Sequence, residues 1–156
     1  EPEIPFEEAT HSSLLTEPLR VRGVLRFTPP ATMEKTITEP FRERYLIDGN
    51  RLRVESERKR IAKTLSLEEY PALRNFADAF RATFTGDAAL LTKLYEAMID
   101  GDRHKWTLQL RPRAEAGASV VDSVLFTGSE GRVATITIRS PDGDRTVMTL
   151  RRGALP

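Results

Sequence analysis

The sequence predicts an α+β protein built on one large, strongly curved antiparallel sheet with helices against its concave, apolar face. Apolar and polar residues alternate along most of the chain, which is typical of strands with one buried face. From Pro71 to Phe84 the apolar residues instead recur three and four positions apart, which indicates a helix. The order of these segments does not suggest a parallel β-α-β arrangement, and we expect nine to eleven strands and two helices.

The composition limits the classes of function. The chain has 156 residues, 24 of them Lys or Arg and 23 Asp or Glu, and no cysteine. This length predicts a single domain over residues 1–156. The balanced charge argues against a nucleic-acid binder, which usually has a concentrated basic excess. The lack of cysteine excludes disulfides, thiolate metal sites and cysteine nucleophiles. No apolar run approaches the ~20 residues that cross a bilayer.

The first well-defined strand covers Leu19–Phe27. Its apolar residues share one parity and its arginines share the other, so one face is buried and the other is solvated. The Pro29-Pro30 pair is expected to end this strand, because proline cannot donate a hydrogen bond to a neighbouring strand. The alternation then continues through residues 33–39.

A hairpin follows, and its turn fixes a register. Asp48-Gly49-Asn50 supplies residues that tolerate a positive φ, and Gly49-Asn50 is the expected two-residue turn. A second reversal near residues 57–58 is expected to place Val54 opposite Ile61. The cross-strand pairs predicted for the first turn are Ile47–Leu52 and Tyr45–Val54.

The middle of the chain predicts two helices. Pro71 suits the first turn of a helix that continues to Phe84, and Gly86 suits the residue after its end. Asp87 is a suitable N-cap for a shorter helix over residues 88–91. The longer helix has three phenylalanines on one face, and these rings need a wide apolar surface such as a curved sheet.

The last third of the chain returns to strand patterning. One strand is expected through Leu94, Glu96 and Met98, up to a turn at Asp100-Gly101-Asp102. The next carries Trp106, Leu108 and Leu110 and ends at Pro112. Residues 113–118 are expected to form a loop. Val120–Phe126 is apolar on both parities, which indicates a strand covered on both sides or one with a bulge. The final hairpin is expected to pair Ala134, Ile136 and Ile138 with Thr146, Met148 and Leu150 across Pro141-Asp142-Gly143.

The sequence contains no recognisable catalytic or metal-binding motif, so we predict no enzyme, no metal site and no cofactor. The two histidines, His11 and His104, are far apart in sequence and are interpreted as ordinary surface or hydrogen-bonded residues. Asp100-Gly101-Asp102 and Asp142-Gly143-Asp144 each match part of a calcium loop, but they lack its other acidic positions and are interpreted as turns.

Arginines are frequent at or near those alternate positions of the early strands whose side chains are expected to face solvent. They could form a basic face for anionic headgroups or an acidic partner. We favour a solvated face, in which interleaved glutamates neutralise the arginines. The residues concerned are Arg20, Arg22, Arg26, Arg42, Arg44, Arg51, Arg53, Arg58 and Arg60, with Glu34, Glu43, Glu55 and Glu57.

Three blocks of the sequence occur in a characteristic order. The first, Gly23–Leu52, contains G-x-L-x-F-x-P-P, the Glu39-Pro40 break and the segment from Tyr45 to Leu52. The second contains Gly86-Asp87, Leu90-Leu91, Tyr95, Gly101 and W-x-L-x-L-x-P up to Pro112. The third runs from Ile136 through Asp142-Gly143-Asp144 to Leu150. Together they resemble the LolA family of periplasmic lipoprotein carriers over about Phe6 to Leu150, and the second block is similar to its LolA-related branch.

This resemblance implies an unclosed half-barrel whose open side is covered by helices, with lipoprotein acyl chains held between sheet and helices. Family members receive cargo from an inner-membrane transporter and pass it to an acceptor at the outer membrane. It therefore implies a periplasmic, monomeric carrier of lipoprotein or other lipid; the alternative is a lipid-sensing or lipoprotein-sensing interaction module of the RseB type. The residues expected to line the cavity are Leu25, Phe27, Met33, Ile37, Tyr45, Ile47, Val54, Ile61, Phe76, Phe80, Phe84, Trp106, Leu108 and Met148.

The chain departs from the family pattern at two points. The family usually opens with an amphipathic helix, whereas five residues precede Phe6 here, so this helix is expected to be absent or trimmed. A removed signal peptide would explain a chain that begins at Glu1. The best-known members have an arginine before the proline after the first long strand, where it ties the helical cover shut. Here that position is Thr28, so we expect a different closure contact.

Overall fold

Eleven antiparallel strands form one sheet in the part of the chain that this computed structural model describes, which is residues 3–28, 32–114 and 121–151. The strands are β1 (Glu3–His11), β2 (Leu19–Thr28), β3 (Thr32–Glu39), β4 (Glu43–Asp48), β5 (Arg51–Ser56), β6 (Ile61–Ser66), β7 (Tyr95–Asp102), β8 (Lys105–Pro112), β9 (Ser123–Ser129), β10 (Arg132–Arg139) and β11 (Arg145–Leu150). Their order is β6-β5-β4-β3-β2-β1-β11-β10-β9-β8-β7, so the sheet is not closed. The predicted fold class is confirmed.

Two helices connect the edge strands β6 and β7. After a 3-10 turn at Leu67–Glu69 come α1 (Pro71–Thr85) and α2 (Ala88–Leu94). Pro71 begins α1 as predicted, and Gly86 ends it with φ 77°, a left-handed conformation that favours glycine. Asp87 caps α2 through its side chain, which accepts a hydrogen bond from the Leu90 backbone N–H at 3.1 Å. No helix in the described ranges is long and apolar enough to cross a membrane.

Strand β1 lies at the centre of the sheet, between β2 and β11, and sequence analysis did not identify it. Phe6 lies opposite Gly23 on one side and Leu150 on the other. The register between β2 and β3 shifts at Arg22 and Gly23. A Cβ on Gly23 would lie 1.9 Å from the Thr36 carbonyl oxygen, so this irregularity requires glycine.

The first hairpin register is confirmed, and the second is wrong. Ile47 lies opposite Leu52 and Tyr45 opposite Val54. The next turn takes four residues, 57–60, so Ser56 rather than Val54 faces Ile61, and Val54 faces Lys63. A shift of two residues preserves the side-chain parity, and Ile61 therefore stays on the predicted face.

Strand β7 differs from the prediction at both ends. Leu94 is the last residue of α2, and Met98, expected on the buried parity, is 67% exposed. Asp100-Gly101-Asp102 is not the turn, because Asp102 still pairs with Lys105 and residues 103–104 make the reversal. The Asp102 carboxylate accepts hydrogen bonds from the backbone N–H groups of His104 and Lys105 at 2.9 and 3.1 Å, which explains its place beside the turn.

The C-terminal hairpin follows the prediction. Ile136 lies opposite Met148 and Ile138 opposite Thr146, and the Ser140 N–H donates to the Asp144 carbonyl across the predicted loop. The strand expected at Val120–Phe126 is instead β9, and the register of β9 with β10 shifts near Val133. The Pro29-Pro30 pair, Val120 and residues 115–118 of the expected loop lie outside the described residues.

The hydrophobic core consists of two clusters under the helices. The larger one contains six side chains that are at most 1% exposed: Phe6, Tyr95, Leu110, Val124, Phe126 and Ile136. Ala79 and Ala82 bring α1 close to this cluster. The smaller cluster contains Leu52, Leu67 and Ala77. One helix therefore covers two parts of the same face.

Several arginines of the early strands pair with glutamates on the face of the sheet opposite the helices. Arg26 and Arg44 both contact Glu34, and Arg44 and Arg53 both contact Glu55. The hydrogen bond to Glu34 raises the pKa of Arg44. These pairs support the interpretation of a neutralised, solvated face. Glu43 is the exception, because it is buried on the concave face.

Candidate ligand-binding site

An apolar cavity of about 240 Å³ lies between the concave face of the sheet and α1. Inward-facing residues of β2 to β5, with others from β1, β10 and β11, form its floor, because every second side chain of a strand points to the same face. The 3-10 turn and α1 form its roof. The hydrocarbon and aromatic lining consists of Leu25, Met33, Tyr45, Ile47, Leu52, Leu67, Leu73, Phe76, Ala77, Phe80, Ile138 and Met148. Three charged residues, Glu8, Glu34 and Lys35, also border it.

Aromatic rings separate the cavity from the larger cluster. The centroids of the Phe76 and Phe80 rings are 4.9 Å apart, and Phe80 also lies 5.8 Å from the ring of Phe126. Phe80 therefore has the cavity on one side and fully buried core on the other. Phe84, one turn further along α1, packs against Phe27 at 6.0 Å.

The structure brings together half of the fourteen residues expected at the cavity. Those that line it are Leu25, Met33, Tyr45, Ile47, Phe76, Phe80 and Met148. Ile37 belongs to the larger cluster, and Phe84, Trp106 and Leu108 pack against it. Phe27 contacts Phe84, and Val54 packs on the smaller cluster. Ile61 lines a polar groove beside Glu43 and Arg60. The alternation of apolar and polar residues predicts which side chains lie on the concave face. The cavity occupies only the part of that face beneath Leu73 and Phe76, so the other expected residues lie on the same face but outside the cavity.

The ion pair between Lys35 and Glu8 is the feature that sequence analysis missed. The Lys35 ammonium donates to both oxygens of Glu8, at 3.0 and 2.9 Å, and lies 5.6 Å from the centre of the Phe6 ring. The Glu8 side chain is 8% exposed. A signal was present in the sequence, because Lys35 shares its parity with Met33 and Ile37, and Glu8 shares its parity with Phe6.

A second buried carboxylate, Glu43, lies next to the cavity residue Tyr45. Glu43 accepts hydrogen bonds from the hydroxyls of Tyr45 and Ser56, at 2.8 and 2.9 Å, and from Arg58 at 3.4 Å. Burial raises the pKa of Glu43, but these three donors outweigh burial, so the pKa is lowered overall. Burial, followed by the bond to Glu43, raises the pKa of Tyr45 to about 12. The Tyr45 hydroxyl is thus committed to Glu43, and its ring faces the cavity.

The helical cover is tied to the sheet through Arg81. Its guanidinium donates to the Gly49 carbonyl, at the tip of the β4–β5 hairpin, at 2.7 Å. It also pairs with Asp78 of the same helix at 2.7 Å. At the other side, the Tyr95 hydroxyl donates to the Asn75 carbonyl at 3.3 Å. Thr28 lies opposite Thr32 in the β2–β3 pair. The described contacts between cover and sheet therefore include one donated from the helix, by Arg81, and one donated from the sheet, by Tyr95.

A larger groove of about 790 Å³ is lined by charged residues of β1 and β2, in contrast to the apolar lining of the cavity. Arg22 lies 4.0 Å from Glu7 and 3.9 Å from Glu39 there, and His11 also lines it. His104 is exposed and pairs with Glu130. The described residues contain no group of three potential metal ligands. Among these sites, the cavity is the one whose lining suits a hydrocarbon.

The family of the chain follows from comparison with known proteins. The sequence matches the family described as outer membrane lipoprotein carrier protein LolA-like over residues 2–155. None of the curated proteins matches the sequence. Among solved structures, the crystal structure of a LolA superfamily protein from Nitrosomonas europaea is similar, with 16% sequence identity and a TM-score of 0.47. That match covers 99% of this chain and 87% of the other.

Proposed function

This chain belongs to the family of LolA-like outer membrane lipoprotein carrier proteins, and from that premise we propose that it is a non-enzymatic carrier which holds an acyl chain in the cavity beneath α1. The cargo is a lipoprotein or another lipid. The carrier works in the periplasm, where it takes this cargo from an inner-membrane transporter and delivers it to an acceptor at the outer membrane.

The observation that carries the proposal is the hydrocarbon lining of the cavity. Leu25, Met33 and Ile47 on the sheet face Leu73 and Phe76 above them. Burial of each methylene group of a ligand in such surroundings stabilises a complex by about 0.8 kcal/mol. A chain of ordinary length therefore binds without any directional contact, and a carrier needs no catalytic group.

The size of the cavity limits what it holds. Its volume of about 240 Å³ is that of about eight water molecules in the liquid, and methylene groups are of similar size. Pockets for larger ligands usually measure about 300–1,000 Å³. The cavity in this closed form therefore suits one chain segment, and a lipid with several chains requires α1 to move outward.

Binding of a pyrene-labelled alkane to the purified protein tests the proposal, together with extraction of lipid from protein purified out of a bacterial periplasm. Leu73→Trp places a larger ring in the cavity, and we expect it to weaken probe binding at least about tenfold. Met98→Trp adds the same ring on β7, where the side chain is 67% exposed, and should leave binding unchanged. Absence of both co-purified lipid and probe binding would contradict a carrier function.

A further inference from the structure

The ion pair of Lys35 and Glu8 stands in the wall of a mainly apolar cavity, which Glu34 also borders. Both residues come from the centre of the sheet, Lys35 on β3 and Glu8 on β1, and both face inward. Glu8 is 8% exposed and Lys35 is 28% exposed. The pair is therefore largely removed from water and sits where a bound chain would pass.

Stability alone does not account for this pair. A buried ion pair is often no more stabilising than apolar residues of the same volume, because both charges lose their hydration. The neighbouring inward positions, such as Leu25 and Met33, are occupied by apolar residues that fill the same kind of space. A charged pair at this position is better explained by contact with a polar part of the ligand.

The hydrogen bonds of Lys35 leave one donor for a ligand. An ammonium group has three N–H donors. Two hydrogen bonds reach the two oxygens of Glu8, which is the hydrogen-bond partner of Lys35 among the described residues. The remaining N–H can donate to an acceptor atom in the cavity, and an uncharged carbonyl oxygen can take this bond without displacing Glu8.

A ligand carboxylate at the same point would be repelled by the carboxylate of Glu8. The positive charge of Lys35 is already balanced by Glu8, so an arriving anion meets a second anion at short range in surroundings of low dielectric constant. Glu34, which also borders the cavity, is held by Arg26 and Arg44 and supplies no positive charge. The charges at this wall therefore accept a neutral acceptor and repel an acid.

We propose that the cavity selects an acyl chain linked through an uncharged carbonyl group, an ester or an amide, which receives a hydrogen bond from Lys35, and that Glu8 excludes free fatty acids. This proposal rests on the proposed function, since it specifies the ligand class of the same cavity.

Displacement of the pyrene-labelled alkane by four ten-carbon ligands tests the selection at pH 7.4. The ligands are monodecanoylglycerol, N-decanoylethanolamine, decanoate and decane. We expect the ester and the amide to bind at least about tenfold more tightly than decanoate. Their carbonyl oxygen accepts a charge-assisted hydrogen bond from Lys35, whereas the carboxylate of decanoate is repelled by Glu8. In Glu8→Gln, which keeps the shape but removes the negative charge, decanoate should gain about tenfold, and its gap from the ester should close.

A double variant guards against a folding defect. Glu8→Gln combined with Lys35→Met leaves no unpaired charge in the wall, and it should bind the ester and decane with equal affinity. Thermal unfolding of each variant establishes that it is folded before binding is measured. Equal affinity of the wild-type protein for decanoate and the ester, or an unchanged ratio in Glu8→Gln, would overturn the selection by Lys35 and Glu8.

The two proposals fail in different ways. If no lipid co-purifies with the wild-type protein and the pyrene-labelled alkane does not bind to it, the carrier function fails, and the selection fails with it. If the alkane binds and the four ligands compete without regard to their polar group, the carrier function stands and only the selection is wrong.

Discussion

The concave face of the sheet has two halves that differ in packing, although the same helix covers both. In the half formed by β1 and β7–β11, six side chains are at most 1% exposed and Ala79 and Ala82 allow α1 to approach closely. We call this the packed half. In the half formed by β2–β6, no described strand side chain is buried to that degree, and Phe76 and Leu73 stand over an open volume. We call this the cavity half.

The difference shows how one amphipathic helix can both stabilise a sheet and leave room for a ligand. Small residues on α1 bring the backbone near the packed half, where side chains interdigitate at the density of a normal core. Phe76 and Phe80 of the same helix border the cavity half, where the contacts remain incomplete. Stability and binding are therefore assigned to different parts of one surface, and substitutions should separate them.

The largest effect is expected for Phe126 in the packed half. Phe126→Ala should lower the free energy of unfolding by about 3–5 kcal/mol, because its neighbours cannot fill the space. Phe80→Ala, whose ring already borders empty volume, should cost only about 1–2 kcal/mol. Affinity for the pyrene-labelled alkane should fall only in Phe80→Ala. Urea unfolding and probe titration measure both quantities, and equal losses of stability would remove the distinction between the halves.

Glu43→Leu is expected to cost about 2–3 kcal/mol of stability without changing the affinity for the alkane. The substitution leaves the hydroxyls of Tyr45 and Ser56 without their acceptor, but Glu43 itself does not line the cavity. The lowered pKa of Glu43 means that its contribution is present above the unfolded value near 4.5 and is lost as the pH falls through the folded value. The wild-type protein should thus lose more stability than Glu43→Leu between pH 6 and about pH 3.

Alkaline unfolding compares the two halves through one tyrosine in each. The pKa values of Tyr45, in the cavity half, and Tyr95, in the packed half, are raised to about 12, in both cases first by burial. The folded state therefore favours the protonated phenol, and stability should decline as the pH rises from about 10 towards 12. Tyr45→Phe and Tyr95→Phe should each weaken this decline. A bound alkane should make this alkaline loss of stability larger in the wild-type protein but not in Tyr45→Phe, because Tyr45 lines the cavity and Tyr95 does not.

The smallest effect is expected for the contact that ties α1 to the hairpin tip. Arg81→Met removes the hydrogen bond to Gly49 and the pair with Asp78, and should cost about 1 kcal/mol while the alkane dissociates several-fold faster. Arg74, on the same helix, also pairs with Asp78 at 3.8 Å but is half exposed. Arg74→Met should leave stability and the dissociation rate near those of the wild-type protein in stopped-flow measurements.

The sequence predicted those elements of the fold whose limits depend on nearby residues only. Gly49-Asn50 and the alternating residues around it determined the first hairpin, and Pro71 and Gly86 gave the limits of α1. Strand β1 escaped detection because Glu8 interrupts its apolar parity, and that charge has its partner on β3. Strand β7 was misread because Met98, an apolar residue at an exposed edge, carries no information about which face is buried.

The cavity was predicted less completely than the sheet, for a physical reason. Alternation shows that Leu108 and Met33 face the same side of the sheet, but it does not show the distance of α1 from each of them. That distance depends on how α1 packs against the sheet, which is a matter of tertiary structure. The alternation of the strands could have indicated that Lys35 and Glu8 both face inward. It could not have indicated that they pair with each other, because they lie on strands that are two positions apart in the sheet.

The position of β1 between β2 and β11 has a consequence for how the chain folds. Every other pairing in the described sheet joins strands that are consecutive in sequence, so two meanders, β1–β6 and β7–β11, can form from local contacts. The pairing of Phe6 with Leu150 must instead close nearly the whole chain into a loop, which is entropically costly and slows folding. Leu25, Met148 and Glu8 come from both sides of this seam. The wall of the cavity is therefore complete only once this pairing has formed, and a ligand that bridges the seam would hold the two meanders together.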